Sequence, residues 1–382
     1  MTELDPTILD RLLPPVPGAP DWDDVMRRSG SRGRHRRRQL VALVAAALVV
    51  AAGTASAIGP VRTFFWSARE NSRIAYLQDG GLYVMDADGG GEARLARNVD
   101  CCVAWSADGR TLAYTARGSG VWVVGTEKSR PSLRQAGSRP WRLARDGRFP
   151  AWSPDMWHIA YSAEGGIFVV GVDGSGRRRL VDDGADPVWS PDGRSIAFLR
   201  RGDLWVMNAD GTSQRNLTDS PLETEAEAQW SPDGRTILFE RQAEALDVGT
   251  RSTKGTTEIV ATTVDGGKER RLTSNTDYDG RASWSPDGRR IVFICGFADA
   301  RVCVMNDDGT DRRDLGARTN HDWPVAWSPD GKKIAYTARD GAQVEVMNSD
   351  GSDKHRLPRS SEGEVFVAWA PDSLFEFRPP PG

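Results

Sequence analysis

The sequence predicts an all-β propeller of four-stranded blades, preceded by one transmembrane helix. Three observations predict it. Tryptophan outnumbers both other aromatics, at 14 against 11 Phe and 6 Tyr, in a chain that also carries 40 Gly and 22 Pro. A Trp-Ser-Pro-Asp string recurs along the chain at intervals of about 43 residues, the period of propeller blades. A stretch without a single charge, Leu40 to Ile58, follows directly on a run of arginines. With 382 residues and 39% hydrophobic content there is material for a large core, which excludes a disordered chain, a disulfide miniprotein and a polytopic membrane protein.

The N-terminal elements come first. Leu40 to Ile58 has the length of a bilayer-spanning helix. Arg32, Arg34, Arg36, Arg37 and Arg38 precede it, and basic residues stay on the cytoplasmic side. This divides the chain into a cytoplasmic tail (1–38), a signal-anchor helix (39–59) and an extracytoplasmic propeller (60–382), held in a bacterial cell membrane by a single pass. The alternative is a cleaved signal peptide, since Ala55-Ser56-Ala57 satisfies a small-x-small cleavage site. Leu9, Leu12, Leu13, Trp22, Val25 and Met26 form an apolar set in the tail, and residues 1–30 are a candidate contact for a cytoplasmic regulator. The tail resembles those of actinobacterial membrane proteins associated with sigma-factor regulation. A solvated tail whose arginines only fix topology is the other reading.

The blades follow. Trp152, Trp189, Trp230, Trp284 and Trp327 each open a Ser-Pro-Asp turn, Trp105 opens Ser-Ala-Asp-Gly, and Trp66 and Trp369 bracket the series. In each unit a first strand ends in the Trp, and Pro, Asp and Gly then supply a tight turn. A second strand reads Ile-Ala-Tyr or a variant, from Ile74-Ala75-Tyr76 to Ile334-Ala335-Tyr336. The third reads as in Leu204-Trp205-Val206-Met207, and a short fourth as in Arg215-Asn216-Leu217. Second and third strands are apolar on both faces, as sheets packed between neighbouring sheets require. Seven blades are expected, with six or eight as alternatives. Val365 to Trp369 supplies a further strand that either closes the ring within the first blade or begins an eighth.

The unit Trp-Ser-Pro-Asp-Gly, Ile-Ala-Tyr, Leu-Tyr-Val-Met-Asp-x-Asp-Gly, Arg-Leu resembles the propeller repeat of the TolB-like family over nearly all of 61–375. The resemblance implies a propeller that binds other proteins outside the cytoplasm. The small α/β domain that precedes the propeller in TolB itself has no counterpart in this sequence.

Chemistry is sparse. Only His158, His321 and His355 follow the apolar segment, and Gly-x-Ser-x-Gly, His-Glu-x-x-His and zinc-type Cys/His spacings are missing. No cofactor or metal is expected. Residues 61–382 carry 42 basic and 47 acidic side chains with no basic face, so nucleic acid is not an expected partner.

One constellation repeats. Five residues before the blade Trp stand Asp100, Glu225, Asp279, Asp322 and Glu364, while Gly147 and Gly184 fill the other two copies beside Asp146 and Asp186. Together Asp100, Asp146, Asp186, Glu225, Asp279, Asp322 and Glu364 form a candidate acidic ring at one channel mouth, suited to a cation or a basic peptide. The alternative is that each acid bonds neighbouring backbone and fixes a loop.

The leading expectation is a non-enzymatic, membrane-tethered propeller that binds a protein or peptide. The alternatives are a lyase or hydrolase acting on a glycan or peptide, with His321, Asp322 and Glu364 as its centre, and a signalling protein working through the tail. Cys295 and Cys303 flank a hairpin and are a candidate disulfide, whereas Cys101-Cys102 is read equally as a vicinal disulfide or as free thiols.

Overall fold

In the computed structural model, the described residues are 73–118, 120–126, 139–220, 223–243, 257–267, 269–275, 277–321, 323–340, 343–357 and 367–370. The anchor segment (39–59), the tail and Trp66 lie outside them. Among the described residues, no helix is long and apolar enough to cross a membrane.

Seven four-stranded antiparallel sheets follow one another. Blade 1 holds β1 (Arg73–Gln78), β2 (Gly81–Asp86) and β3 (Ala93–Arg97). Blade 2 holds β4 (Val99–Trp105), β5 (Thr111–Ala116), β6 (Gly120–Gly125) and β7 (Trp141–Arg142). Blade 3 holds β8 (Arg148–Trp152), β9 (His158–Ala163), β10 (Gly166–Gly171) and β11 (Arg178–Val181). Blade 4 holds β12 (Ala185–Trp189), β13 (Ser195–Arg200), β14 (Asp203–Asn208) and β15 (Arg215–Asn216). Blade 5 holds β16 (Glu223–Trp230), β17 (Thr236–Ala243), β18 (Thr257–Thr263) and β19 (Arg270–Arg271). Blade 6 holds β20 (Asp279–Trp284), β21 (Arg290–Cys295), β22 (Arg301–Asn306) and β23 (Arg313–Arg318). Blade 7 holds β24 (Ala326–Trp327), β25 (Lys333–Thr337), β26 (Val344–Asn348) and β27 (His355–Arg356).

The last strand, β28 (Val367–Trp369), pairs with β1 through Ile74↔Trp369 and Tyr76↔Val367. Blade 1 is therefore built from both ends of the propeller, and the count is seven. First strands touch in cyclic order, β4 on β8 and so on round to β28 on β4, so they line the axis of a closed ring.

The repeat explains this packing. The aromatic of each second strand is buried, with Tyr76, Tyr161, Phe198, Phe239, Phe293 and Tyr336 among the most enclosed side chains. Each contributes roughly 1.5–3 kcal/mol from burial. The blade Trp both fills the wedge and ties blades together. Trp152 Nε1 donates to the Ala104 carbonyl at 3.1 Å, Trp230 to Val188 at 3.0 Å and Trp327 to Ser283 at 3.2 Å. In each case the acceptor immediately precedes the Trp of the preceding blade.

The turns are equally repetitive. Ser190 Oγ donates to the Asp192 carboxylate at 2.6 Å and accepts the Ser195 N–H at 2.9 Å. Gly193 sits at φ +70°, and a Cβ there would lie 3.6 Å from Pro154 of the neighbouring turn. That end of the ring is thus closed by stacked turns. The other end, where second strands hairpin into third strands and each blade hands over to the next, carries the variable loops.

Candidate functional site

At this loop-rich end the first strands deviate in a shared way. Their ladders slip between Cys101 and Ala104, Arg148 and Ala151, Ala185 and Val188, Ala226 and Gln229, and Gly280 and Ser283. Each slip is a bulge, with an extra residue on the innermost strand. Three positions before the Trp the backbone is left-handed at Cys102 (φ +62°), Phe149 (+54°), Asp186 (+52°), Glu227 (+52°) and Arg281 (+53°). A non-glycine residue held there costs about 1–2 kcal/mol. No sequence signal announced this, because the five residues share no chemistry.

Three of them meet in blades 4 to 6. The Arg281 guanidinium donates to the Glu227 carboxylate, and the Arg281 backbone N–H donates to Glu240. Burial, reinforced by the charge of Glu227, raises the Glu240 carboxyl to about 7. Burial and Glu227 likewise raise Asp186 to about 6. The Asp186 Oδ1 atom is buried with no hydrogen-bond partner among the described residues. Burial also pushes the Tyr278 hydroxyl up, helped by Glu240. Glu227 and Glu240 thus share Arg281, while Asp186 stands in the fields of Glu227 and Arg148.

The acids singled out by the repeat occupy different surroundings. Asp146 pairs with Arg177 at 2.8 Å, and Arg177 also donates to the Tyr161 hydroxyl at 2.7 Å. Glu225 is buried against Arg241 at 2.9 Å, which also binds Glu269 at 2.5 Å and Glu223 at 3.3 Å. Asp279 has no exposed side-chain surface and is gripped by both Arg312 nitrogens at 2.8 and 2.9 Å. Burial raises the carboxyls of Glu225 and Asp279 against the pull of these arginines.

These three acids fasten the entry of a first strand to its own sheet. Where Gly147 and Gly184 replace the acid, a Cβ would lie 2.5 Å from the Tyr161 ring and 3.1 Å from the Phe198 ring, so the aromatic takes the space. Asp100 differs: it is half-exposed and 3.9 Å from Arg117. Asp322 and Glu364 lie outside the described residues, as do residues 244–256 of the longest hairpin.

Two cavities of about 430 Å³ open on this end. The first, between blades 2 and 3, is lined by Asp100, Thr115, Asp146, Arg148, Phe149 and Glu164 among others. The second shares Asp100 and is walled by Leu77, Trp323 and the Cys101–Cys102 disulfide. Cys295 and Cys303 form the other disulfide, across the hairpin of blade 6. Beside it Phe297, 54% exposed, packs on His321 with centroids 4.3 Å apart, and Tyr278 completes the group at 5.7 Å from His321. The remaining exposed large apolar side chains among the described residues are Phe149, in the first cavity, and Trp157, on the opposite end. Among the described residues, no group of three or more His, Cys, Asp or Glu is arranged to hold a metal ion.

The model of the TolB beta propeller domain family matches residues 149–373. No curated protein matches the chain. Among solved structures it is similar to TolB from Acinetobacter baumannii, at 22% identity over 79% of this chain and 67% of that one, with a TM-score of 0.51. A puromycin-hydrolyzing peptidase of Mycobacterium tuberculosis superimposes with a TM-score of 0.56 at 14% identity, over 74% of this chain and half of that one. An oligogalacturonate lyase in complex with manganese does so with 0.53 at 16% identity, over 77% and 83%. At such identities the likeness is one of fold.

Proposed function

Because the chain belongs to the TolB beta propeller domain family, we propose that it is a membrane-tethered, non-enzymatic propeller that binds a protein or peptide through its loop-rich end. The tether is residues 39–59, with the arginine run inside and the propeller outside, where disulfides persist.

One observation carries the binding reading. The aromatic group Phe297, His321 and Tyr278 continues into the carboxylates of Glu240 and Glu227, since Tyr278 lies in the field of Glu240, Glu227 and Arg281, and Asp186 in turn lies in the field of Glu227. An exposed aromatic next to under-neutralised carboxylates suits a basic, partly apolar segment. Asp100, Asp322 and Glu364 extend the acidic set of this proposal around the mouth.

The test is a peptide array probed with full-length protein. Peptides rich in Lys or Arg beside an apolar residue should be retained, and Phe297→Ser and Glu227→Gln should each weaken binding about tenfold, equivalent to about 1.4 kcal/mol. Indifference to peptide charge, or unchanged binding by both variants, would sink the reading.

A further inference from the structure

We infer that blades 6 and 7 hold the C-terminal residue of the bound peptide, with its free carboxylate on Arg318 and Arg339 and its apolar side chain on Phe297. The inference rests on the peptide-binding reading and specifies which end of the peptide is held.

Charge supplies the first argument. Arg301 donates to the Asp299 carboxylate at 2.6 and 3.1 Å, and Arg339 at 3.2 Å and Arg318 at 3.5 Å turn to the same group. Arg301 also binds Asp314 at 2.8 Å. Three guanidiniums thus share two carboxylates, which leaves one positive charge over. The nearby Asp277 is turned into the hairpin, where it accepts the Phe297 and Tyr278 N–H groups, and Asp340 and Glu345 pair with Arg356. The Arg318 and Arg339 side chains are 61% and 51% exposed, so donors not spent on Asp299 reach solvent. One further carboxylate balances the excess, and guanidinium forks suit it geometrically.

Reach supplies the second. Phe297 stands two residues before Asp299 in one hairpin, a span of about 7 Å at most. Its half-exposed ring packs on His321, which follows Arg318 by three residues. A chain end offers a carboxylate and a side chain from the same Cα, so both find partners within that span. An acidic side chain inside an extended peptide brings its carboxylate alone, because its neighbour's side chain points to the opposite face. From Phe297 the surface runs through Tyr278 to Glu240 and Glu227, so the basic residues lie upstream of the held terminus.

Rigidity supplies the third. Thr319 is buried and joins the elements that carry the arginines. Its N–H donates to the Ala300 carbonyl at 2.9 Å, its hydroxyl donates to the Thr337 carbonyl at 2.7 Å, and its backbone pairs with Ala338. Arg318 precedes Thr319 and Arg339 follows Ala338, so the two arginines flank this junction. The Cys295–Cys303 disulfide closes the base of the hairpin that presents Phe297 and Asp299. Groups held in place beforehand lose little freedom on binding.

The peptide array is made twice, fixed through the N-termini, once with free C-terminal carboxylates and once as C-terminal amides. Full-length protein is the probe, and the pairs retained best are titrated by fluorescence anisotropy. Free acids ending in Leu or Phe should bind about tenfold tighter than their amides. Arg318→Gln and Arg339→Gln replace exposed side chains whose ion pairs contribute little to folding. Each should shrink the ratio to about threefold or less, and together they should remove it, with amide binding unchanged. Glu227→Gln should weaken acid and amide alike. Equal binding of acid and amide, an amide ending in Glu that matches the free acid, or a ratio surviving the double replacement would overturn the assignment and leave the peptide-binding reading standing. Retention of no peptide in either form would overturn both.

Discussion

Glu240 makes stability depend on pH in an unusual direction. It is 96% buried, its carboxyl accepts the Arg281 N–H, and its pKa rises from 4.5 to about 7. Between those values the folded protein keeps a proton that the unfolded chain has released. The unfolded state then binds fewer protons, so stability falls as pH rises through the window. Stability from this group is fully present below pH 4.5 and lost above about pH 7, a change of about 3 kcal/mol at 1.36 kcal/mol per unit. Glu240→Gln retains an oxygen for the Arg281 N–H but cannot ionise. The variant should match the parent near pH 4 and exceed it by about 3 kcal/mol at pH 8. Urea unfolding followed by tryptophan fluorescence at several pH values measures the difference, and other titrating groups cancel between the two proteins. A difference that stays constant from pH 5 to 8 would refute the reasoning.

Arg312→Leu should cost about 3–5 kcal/mol by stranding the buried Asp279 carboxylate, and adding Asp279→Asn should recover part of it in the same unfolding assay. Gly147→Ala sets a Cβ 2.5 Å from the Tyr161 ring at φ +94° and should destabilise by roughly 2–3 kcal/mol, visible as a lower urea midpoint. Replacing Cys295 and Cys303 together by Ser opens a short loop and should cost roughly 2–3 kcal/mol, with reduction of the parent by dithiothreitol giving a comparable loss. Ser285→Ala removes the bond to Asp287 and the cap on the Arg290 N–H, and should cost about 1 kcal/mol by thermal unfolding.

Most of the fold was legible because it is local and repeated. The Ser-Pro-Asp turn closes through bonds only two and five residues long, as at Ser190, so its chemistry is visible in any one copy. The Ile-Ala-Tyr strands announce burial by composition, and the structure encloses their aromatics. Legibility fails where a partner is distant or where no residue type marks the feature. Arg177 and Arg312 stand 31 and 33 residues from the acids they clamp, so spacing to the Trp revealed the acids but not their neutralisation. The bulge that holds Phe149, Asp186, Glu227 and Arg281 left-handed uses a different residue each time and no glycine. Cys101 and Cys102, open to either state from sequence, are joined, with Cys102 at the same bulge position.

The pairing of β28 with β1 has a kinetic consequence. Ile74 meets Trp369 across almost the whole propeller, so the strand that completes the first blade to be synthesised is the last to emerge. Bringing such distant segments together costs about 5 kcal/mol in loop-closure entropy, and contacts of that range are slow to form. Until then one side of β1 is a bare strand edge, open to pairing with another molecule. During folding the chain is therefore most exposed to misassembly in the interval between completing blade 7 and capturing residues 367–369.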